Sequence, residues 1–565
     1  MDKKKLKLLA VLSVLCLFCV LSEAYLKGYI HFPGIKEVGQ NKTIADQQGE
    51  DTEDNNQNIS SSNNETAVTN EPVVNESQKP AINVSTKPAV TKKPKVTNKP
   101  GRLNKPLASK RPVQVLDPVR AANSQKVRVL IMSGNFESYY HNSIQLTCGS
   151  SFTVNDGKSI KSYSAGKKVS FNMYGKKAKE YRKKKFIISS SDGTRIKFLS
   201  IKRQDRQPLY RGTIEVKWTK QGFLVVNELP VEHYLYAVVP SEMSTNNNME
   251  ALKAQAVCAR SYAYNQINAK RYKEYNADLD DSIACQVYNN IPENRRSRMA
   301  VDSTYSKVIT NNGKIIVAYY FSTSWGCTAD GQDVWNTPAE VPYLLSSLQV
   351  HRKNAAEQVE VNLSDENTFK DFIDSGSYET YDSGDDWYRW SITFNAANLS
   401  KRIDSAVYNC YLSDKSLVLE QNNKGKYIQK PIKSIGTIKK LRIEKREESG
   451  LVTELVIVGT KNVVKVCTQY NIRKILAPVY EKIKRKSGES VSSYSMLPSA
   501  AFYIDTVKNK KGTFFQVKGG GFGHGAGLSQ SGAAAMAKAG ESYSVILKHF
   551  FKGTKIQNVK NVLSD

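Results

Sequence analysis

The sequence predicts an α+β, β-rich fold: antiparallel sheets around a central helix, with a second β lobe, preceded by an N-terminal export or membrane segment and a disordered linker. Three observations carry this. Short apolar runs separated by Gly, Asp and Lys recur from Lys126 onward, as antiparallel strands would. Leu252, Ala256, Ala259, Ala263 and Ile267 form an apolar stripe at helical spacing. Residues 39–112 are dominated by Asn, Thr, Ser, Lys and Pro with almost no aromatics, too little apolar area to offset the entropy of ordering.

At the N-terminus, Lys3, Lys4, Lys5 and Lys7 precede an uncharged, mostly apolar run from Leu8 to Ser22. The run is short against the roughly 20 residues of a spanning helix. It matches the apolar region of a signal peptide, with Ser22-Glu23-Ala24 as a small-x-small cleavage site. Taken to residue 32 it reads instead as a tilted membrane anchor with its lysines cytoplasmic. Either reading places the remaining chain outside the cytoplasm. In the linker that follows, an acidic half precedes a basic half whose Lys-Pro repeats favour an extended spacer.

Lys and Arg total 82 against 53 Asp and Glu, a net charge of +29 that favours an anionic partner. No zinc-finger or RNP motif accompanies it, so nucleic acid is not expected. Of eight cysteines, Cys16 and Cys19 lie in the export segment; the other six are scattered without a CxxC pair, which excludes a zinc ribbon and a dense disulfide scaffold.

The folded body, residues 126–565, opens with VRVLIM and continues through SIQLTC, KKVSFNMY, KKFIISS, TRIKFLSI, GTIEVKW and GFLVVNEL as strands. The central helix is expected to start at a capping box, Asn247 with Glu250. Strands return in KVITNNGKIIVAYYFSTS, where Asn311-Asn312-Gly313 reads as a hairpin turn. A β-rich second lobe spans about 388–464, and two small helices follow at about 529–539 and 542–551.

Two places hold candidate chemistry. The Gly519–Gly527 loop, GGGFGHGAG, lacks the GKS or GKT ending and the βαβ setting of a phosphate loop. Its glycines require sharp turns or close approach, and His524 sits near its centre. The second place is VVPSEM, where a single carboxylate, Glu242, precedes the central helix.

VVPSEM, EALKAQAVCARSYA, CQVY, YYFSTSWGCTAD and GGGFGHGAGLSQSGAAAMAKAGESYSVILKHFFKGT together resemble the stage II sporulation protein D family, which includes proteins described as amidase enhancers. The resemblance runs from about Val127 to Phe551. It implies a lytic transglycosylase acting on peptidoglycan, with Glu242 as catalytic residue. A transglycosylase needs one carboxyl group where a hydrolase needs a pair. Such a group acts first as acid on the glycosidic oxygen, then as base on the C6 hydroxyl of N-acetylmuramic acid. Burial against Val239 and Met243 would raise its pKa, whereas a helix N-terminus, Lys253 and Arg260 would lower it, and the sequence leaves that contest open.

The resemblance also implies a cleft in which Tyr320, Ser322 and Ser324 share one strand face, joined by Gln286, Tyr288, His524 and Gln530 as substrate-binding residues. Gln255 and Arg260 read as helix-packing or supporting residues, and Trp325 as a sugar platform or a packing residue. Ser324-Trp325-Gly326-Cys327-Thr328 departs from the family's usual SGGxT. Some members bind zinc through one His and two Cys. Cys285 and Cys327 stand in the matching segments, but no His lies between Asn265 and Cys285. A Cys285–Cys327 disulfide, or two free thiols, is therefore expected over a metal site, with no cofactor. The implied setting is extracytoplasmic, facing the cell wall, in remodelling that includes spore engulfment. The implied substrate is glycan stripped of stem peptides, with a wall amidase and engulfment membrane proteins as partners. The alternative is a non-catalytic wall-binding enhancer of such an amidase.

Overall fold

The computed structural model describes residues 124–563, except residue 176 and segments 351–361 and 376–378. The expected export or anchor segment (1–32) and linker (39–112) lie outside them. No helix among the described residues is long and apolar enough to cross a membrane.

The expected strands form, and they build two packed sheets. A seven-stranded sheet runs in the order Leu279–Asp280, Lys126–Leu130, Phe223–Pro230, Thr213–Trp218, Lys185–Ser190, Phe152–Asn155 and Ile160–Tyr163. Its pairs are antiparallel except the first. A four-stranded sheet orders Val169–Asn172, Ser143–Cys148, Ile196–Phe198 and Leu209–Tyr210. Alternating residues of both sheets, such as Ile144, Leu146, Phe186, Ile188 and Val216, fill the space between them.

On this sandwich sit two consecutive helices, α1 (Val231–Glu242) and α2 (Met249–Ala269). The second is the expected central helix, but its cap is Asn248, not Asn247: the Asn248 side chain accepts from the Glu250 amide at 3.0 Å. The Glu250 carboxylate does not reach back to complete a box. It accepts from the Tyr543 amide at 2.8 Å and pairs with Lys253 at 2.6 Å, so tertiary partners outcompete the local one. The first helix is not evident from its sequence. Nine of its twelve residues are buried, so it shows no polar face to mark a helical period. Pro240 near its end removes one helical N–H, and the orphaned Tyr236 carbonyl accepts from Ser297 Oγ at 3.2 Å.

The expected hairpin turn is present: Thr310 pairs with Ile315 and Asn311 with Lys314 around Asn312 and Gly313, both at positive φ (48° and 74°).

The second core is broader than the 388–464 block, drawing on residues from Trp325 to Ala526. Two five-stranded antiparallel sheets, one containing Trp390–Asn395 and Gly512–Gly519, the other Ile438–Arg446 and Val452–Gly459, enclose α3 (Ala396–Ser413). Leu399, Ile403, Val407, Cys410 and Tyr411 are its buried stripe, so this lobe is mixed rather than purely β.

Candidate active site

Glu242 is the last residue of α1, so it meets the negative end of a helix dipole rather than a positive one. The two cations expected to lower its pKa are engaged elsewhere. Arg260, wholly buried, forms a fork with Glu232 through Nε–Oε1 at 2.9 Å and Nη2–Oε2 at 2.7 Å. Lys253 pairs with Glu250. Burial therefore dominates and pushes the Glu242 carboxyl up to about 7, against a weaker downward pull from the Val287 amide and the Tyr320 hydroxyl. The amide donates to Glu242 Oε1 at 2.6 Å.

After the glycine loop the chain enters α4 (Gln530–Lys538), which is capped by the Ser529 side chain. Its first residue, Gln530, donates through Nε2 to the Glu242 carbonyl at 3.0 Å and to Gln255 Oε1 at 3.3 Å. Thus the loop that follows Gly519 is tied to the end of the helix carrying Glu242. Its glycines make this possible. Gly527 lies at φ +82°, and a Cβ there would stand 2.2 Å from the Tyr319 carbonyl. The loop lies directly on the strand Tyr320–Phe321, which pairs in parallel with Leu528–Ser529.

His524 serves that contact. Its Nδ1 accepts from the Ala526 amide at 3.2 Å, which leaves the proton on Nε2 to donate to the Tyr320 carbonyl at 3.1 Å. Burial, with Arg473 adding repulsion, holds its pKa down to about 4, so the ring is neutral.

Two cavities meet at Glu242, sharing it with Ser322 and Gln530. One, about 780 Å³, is lined by Asn246, Asn247, Asn248, Asp385 and Ser531 together with Met243, Ala534 and Ala535. The other, about 520 Å³, is aromatic, with Tyr262, Tyr319, Tyr320, Trp335, Tyr470, Tyr494 and Phe522, and carries Arg271 and Arg473. Trp335 and Tyr319 stack with centroids 4.1 Å apart. The cleft as a whole offers flat apolar faces beside amides and hydroxyls, the surfaces that a sugar chain presents in return.

Of the expected substrate-binding residues, the structure brings Tyr320, Ser322, His524 and Gln530 to this cleft together with Glu242. Three others lie beneath it. Gln286 is buried and accepts from the Tyr320 hydroxyl at 3.1 Å, so it steadies Tyr320. Tyr288 is buried among Tyr210 and Tyr234 and donates to Asn227 Oδ1 at 2.8 Å. Ser324 is buried on Asp382, which accepts from both its amide (2.9 Å) and its hydroxyl (2.7 Å). The strand is regular only over Tyr320–Phe321, so the alternation does not extend to Ser324. Trp325 packs in the second core, its Nε1 donating to the Ser449 carbonyl at 2.8 Å.

The Cys285–Cys327 disulfide is not formed: both are free thiols. Cys285 packs beside the first core with Sγ 3.5 Å from the Tyr272 hydroxyl, whereas Cys327 lies in the second core. Burial pushes each thiol up to about 12, the reverse of a metal-binding thiolate. No group of three potential metal ligands occurs among the described residues, so this pair does not fit the His–Cys–Cys zinc set.

Sequence reading missed Trp335, Tyr262, Asp385 and the Tyr470–Arg473 pair of the second lobe, and it missed that Val287 contributes a backbone amide. The CQVY segment was visible, but which of its groups face the cleft depends on the fold.

Residues 219–311 match the family model described as "Stage II sporulation protein", and residues 411–527 match a domain of unknown function. The chain is 30% identical over 328 residues to the amidase enhancer of Bacillus subtilis, covering 57% of this chain and 40% of that protein. It thus spans less than half the length of that relative. It is 24% identical over 353 residues to stage II sporulation protein D of the same organism, covering 60% of this chain and 78% of that one. An uncharacterised protein of Brachyspira hyodysenteriae is 28% identical over 354 residues, covering 62% and 73%. The motif order, the matched domain and these relatives agree: the chain carries a stage II sporulation protein domain over residues 219–311 and is similar to the stage II sporulation protein D family.

Proposed function

We propose that this protein is a lytic transglycosylase that cleaves the glycan strands of peptidoglycan in an extracytoplasmic, cell-wall remodelling role. The observation that carries the reading is that Glu242, with a pKa near 7, stands where two sugar-compatible cavities meet, whereas Asp385, the other carboxylate of the cleft, is engaged by the Ser531 hydroxyl and the Trp387 amide. A group half protonated near neutral pH serves both halves of the reaction. Glu242 donates its proton to the glycosidic oxygen as that bond to C1 of N-acetylmuramic acid breaks. The carboxylate then takes the proton of the sugar's own C6 hydroxyl, whose oxygen bonds to C1. The product is a 1,6-anhydro ring, no water is consumed, and Glu242 returns protonated. The Val287 amide and Tyr320 hydroxyl, which face the carboxylate, stabilise it between the two transfers.

A second reading rests on the relative named amidase enhancer: a protein that binds glycan and stimulates a wall amidase without cutting. The two separate in one experiment. Wild type and Glu242→Gln are compared for release of soluble fragments from glycan strands stripped of stem peptides, and for binding to the same strands. Release by wild type alone, with binding by both, supports the transglycosylase. Binding by both and release by neither supports the enhancer.

A further inference from the structure

The end of the β-sandwich where Phe223–Pro230 begins carries a surface that the cleft does not use. Three segments meet there. The hairpin turn between Phe152–Asn155 and Ile160–Tyr163 is one, since Asn155 pairs with Ile160. The segment 173–185, after Val169–Asn172, is the second. Lys184 joins it to the first turn by an ion pair with Asp156 at 3.2 Å. The turn between Thr213–Trp218 and Phe223–Pro230 is the third, linked by the Trp218 amide donating to the Lys184 carbonyl at 3.1 Å. The rings of Phe171, Tyr181, Phe186 and Phe223 lock the segments together from below, with centroids 5.0–6.1 Å apart.

The charge at this end is lopsided. Lys158, Lys177, Lys179, Arg182, Lys183 and Lys220 are exposed. None of these six forms an ion pair among the described residues. Asp156 and Glu180 are the only carboxylates in residues 155–161, 173–185 and 217–222, and Asp156 is spent on Lys184. Set among the cations are two large apolar side chains turned to solvent: Ile160, 66% exposed, and Tyr174, 71% exposed. One exposed apolar side chain is ordinary. Two in neighbouring segments of one lysine-rich end, Ile160 at the start of its strand and Tyr174 just after Val169–Asn172, make a different surface.

We propose that this end of the sandwich docks on an anionic lipid surface, with Ile160 and Tyr174 entering the headgroup region and the cations pairing with lipid phosphates. Lysines near such a surface gain from its negative potential. Tyr suits the interface because its ring is apolar and its hydroxyl stays wet. A phosphate-rich polymer would satisfy the lysines but gives no return for burying Ile160, so lipid is the occupant favoured.

The test is hydrogen exchange on the full chain, followed peptide by peptide so that the apolar N-terminal run is scored separately. Vesicles of phosphatidylglycerol and phosphatidylcholine are compared with phosphatidylcholine alone. Protection of peptides covering 155–161 and 173–185 on the anionic vesicles only is expected. The double variant Ile160→Ser/Tyr174→Ser should lose it. In Lys158→Glu/Lys179→Glu/Lys183→Glu the lipid needed for half-protection should rise at least about tenfold. Unchanged exchange in Phe223–Pro230 verifies that each variant is folded. Absence of protection on anionic vesicles overturns the proposal. So does protection that soluble polyphosphate reproduces and the double serine variant retains, which would assign this end to an anionic polymer.

Discussion

The Val287 amide donates to Glu242 Oε1 at 2.6 Å, so a backbone group from one loop fixes the carboxyl at the end of another element. Because burial outweighs that bond and raises the pKa from 4.5 to about 7, the acid form persists to neutral pH. The rate of glycan cleavage is therefore expected to fall as pH rises through about 7, approaching tenfold per unit above it. A pH–rate profile on stripped strands checks this; a rate still rising between pH 7 and 9 would exclude Glu242 as the acid.

The same shift has a stability consequence. A carboxyl with a raised folded-state pKa costs nothing below about 4.5, where it is protonated in both states. The cost grows as pH rises and is complete above about 7. Glu242→Gln, neutral at every pH, should leave stability at pH 4 unchanged and raise it at pH 8 by about 1–2 kcal/mol, discounted for the carboxyl's partial exposure to the cleft. Urea unfolding at the two pH values measures the difference.

Tyr320 is the residue whose hydroxyl lowers the Glu242 pKa, held in place by Gln286 at 3.1 Å. Tyr320→Phe should move the pH–rate midpoint upward and lower the rate at pH 7 by about tenfold, with binding of glycan little changed. Gln286 Oε1 competes for the single Tyr320 hydroxyl proton, so Gln286→Ala should free it for Glu242 and move the midpoint downward.

Gly527 should not tolerate a side chain. At φ +82°, with the Tyr319 carbonyl only 2.2 Å from where a Cβ would sit, Gly527→Ala combines backbone strain with a clash. A loss of about 2–4 kcal/mol is expected in thermal or denaturant unfolding. Gly157→Ala, where nothing lies within 4 Å, is the matched control and should lose about 1 kcal/mol from its positive φ alone.

The buried Arg260–Glu232 fork is a structural device. Glu232→Gln leaves Arg260 partly uncompensated in a site of near-zero exposure, and should cost about 3–5 kcal/mol of stability. Since neither residue touches the cleft, the pH–rate midpoint of the surviving folded fraction should not move.

Much of the first lobe was legible because its strands obey a local rule. SIQLTC and KKFIISS alternate buried with outward positions, and the structure keeps both, with GTIEVKW, as strands. Legibility ended where context overrode pattern. The helix ending in Glu242 is buried on all sides, so it lacks a polar period, and its Val-rich composition favours a strand reading. The helix Ala396–Ser413 did carry a stripe at Leu399, Ile403 and Val407, obscured by surrounding Asn and Ser. The motif singled out Glu242, and the structure places it where the two cavities meet. Gln286, Tyr288 and Ser324 were not correctly placed, because the direction of a side chain in a loop is set by partners far along the chain, such as Asp382 for Ser324. Of the two expectations for Cys285 and Cys327, a bridge or two free thiols, the structure has the free thiols, because the two side chains belong to different cores.

The most direct measurement is the chemistry of the new chain ends. Stripped glycan strands are digested with wild type and with Glu242→Gln, and the products are analysed by mass spectrometry. Glu242 acting alone and recycling its proton predicts 1,6-anhydro-N-acetylmuramic acid ends from wild type and none from the variant. Reducing ends, each heavier by one water, would contradict it and require a second carboxylate to activate that water.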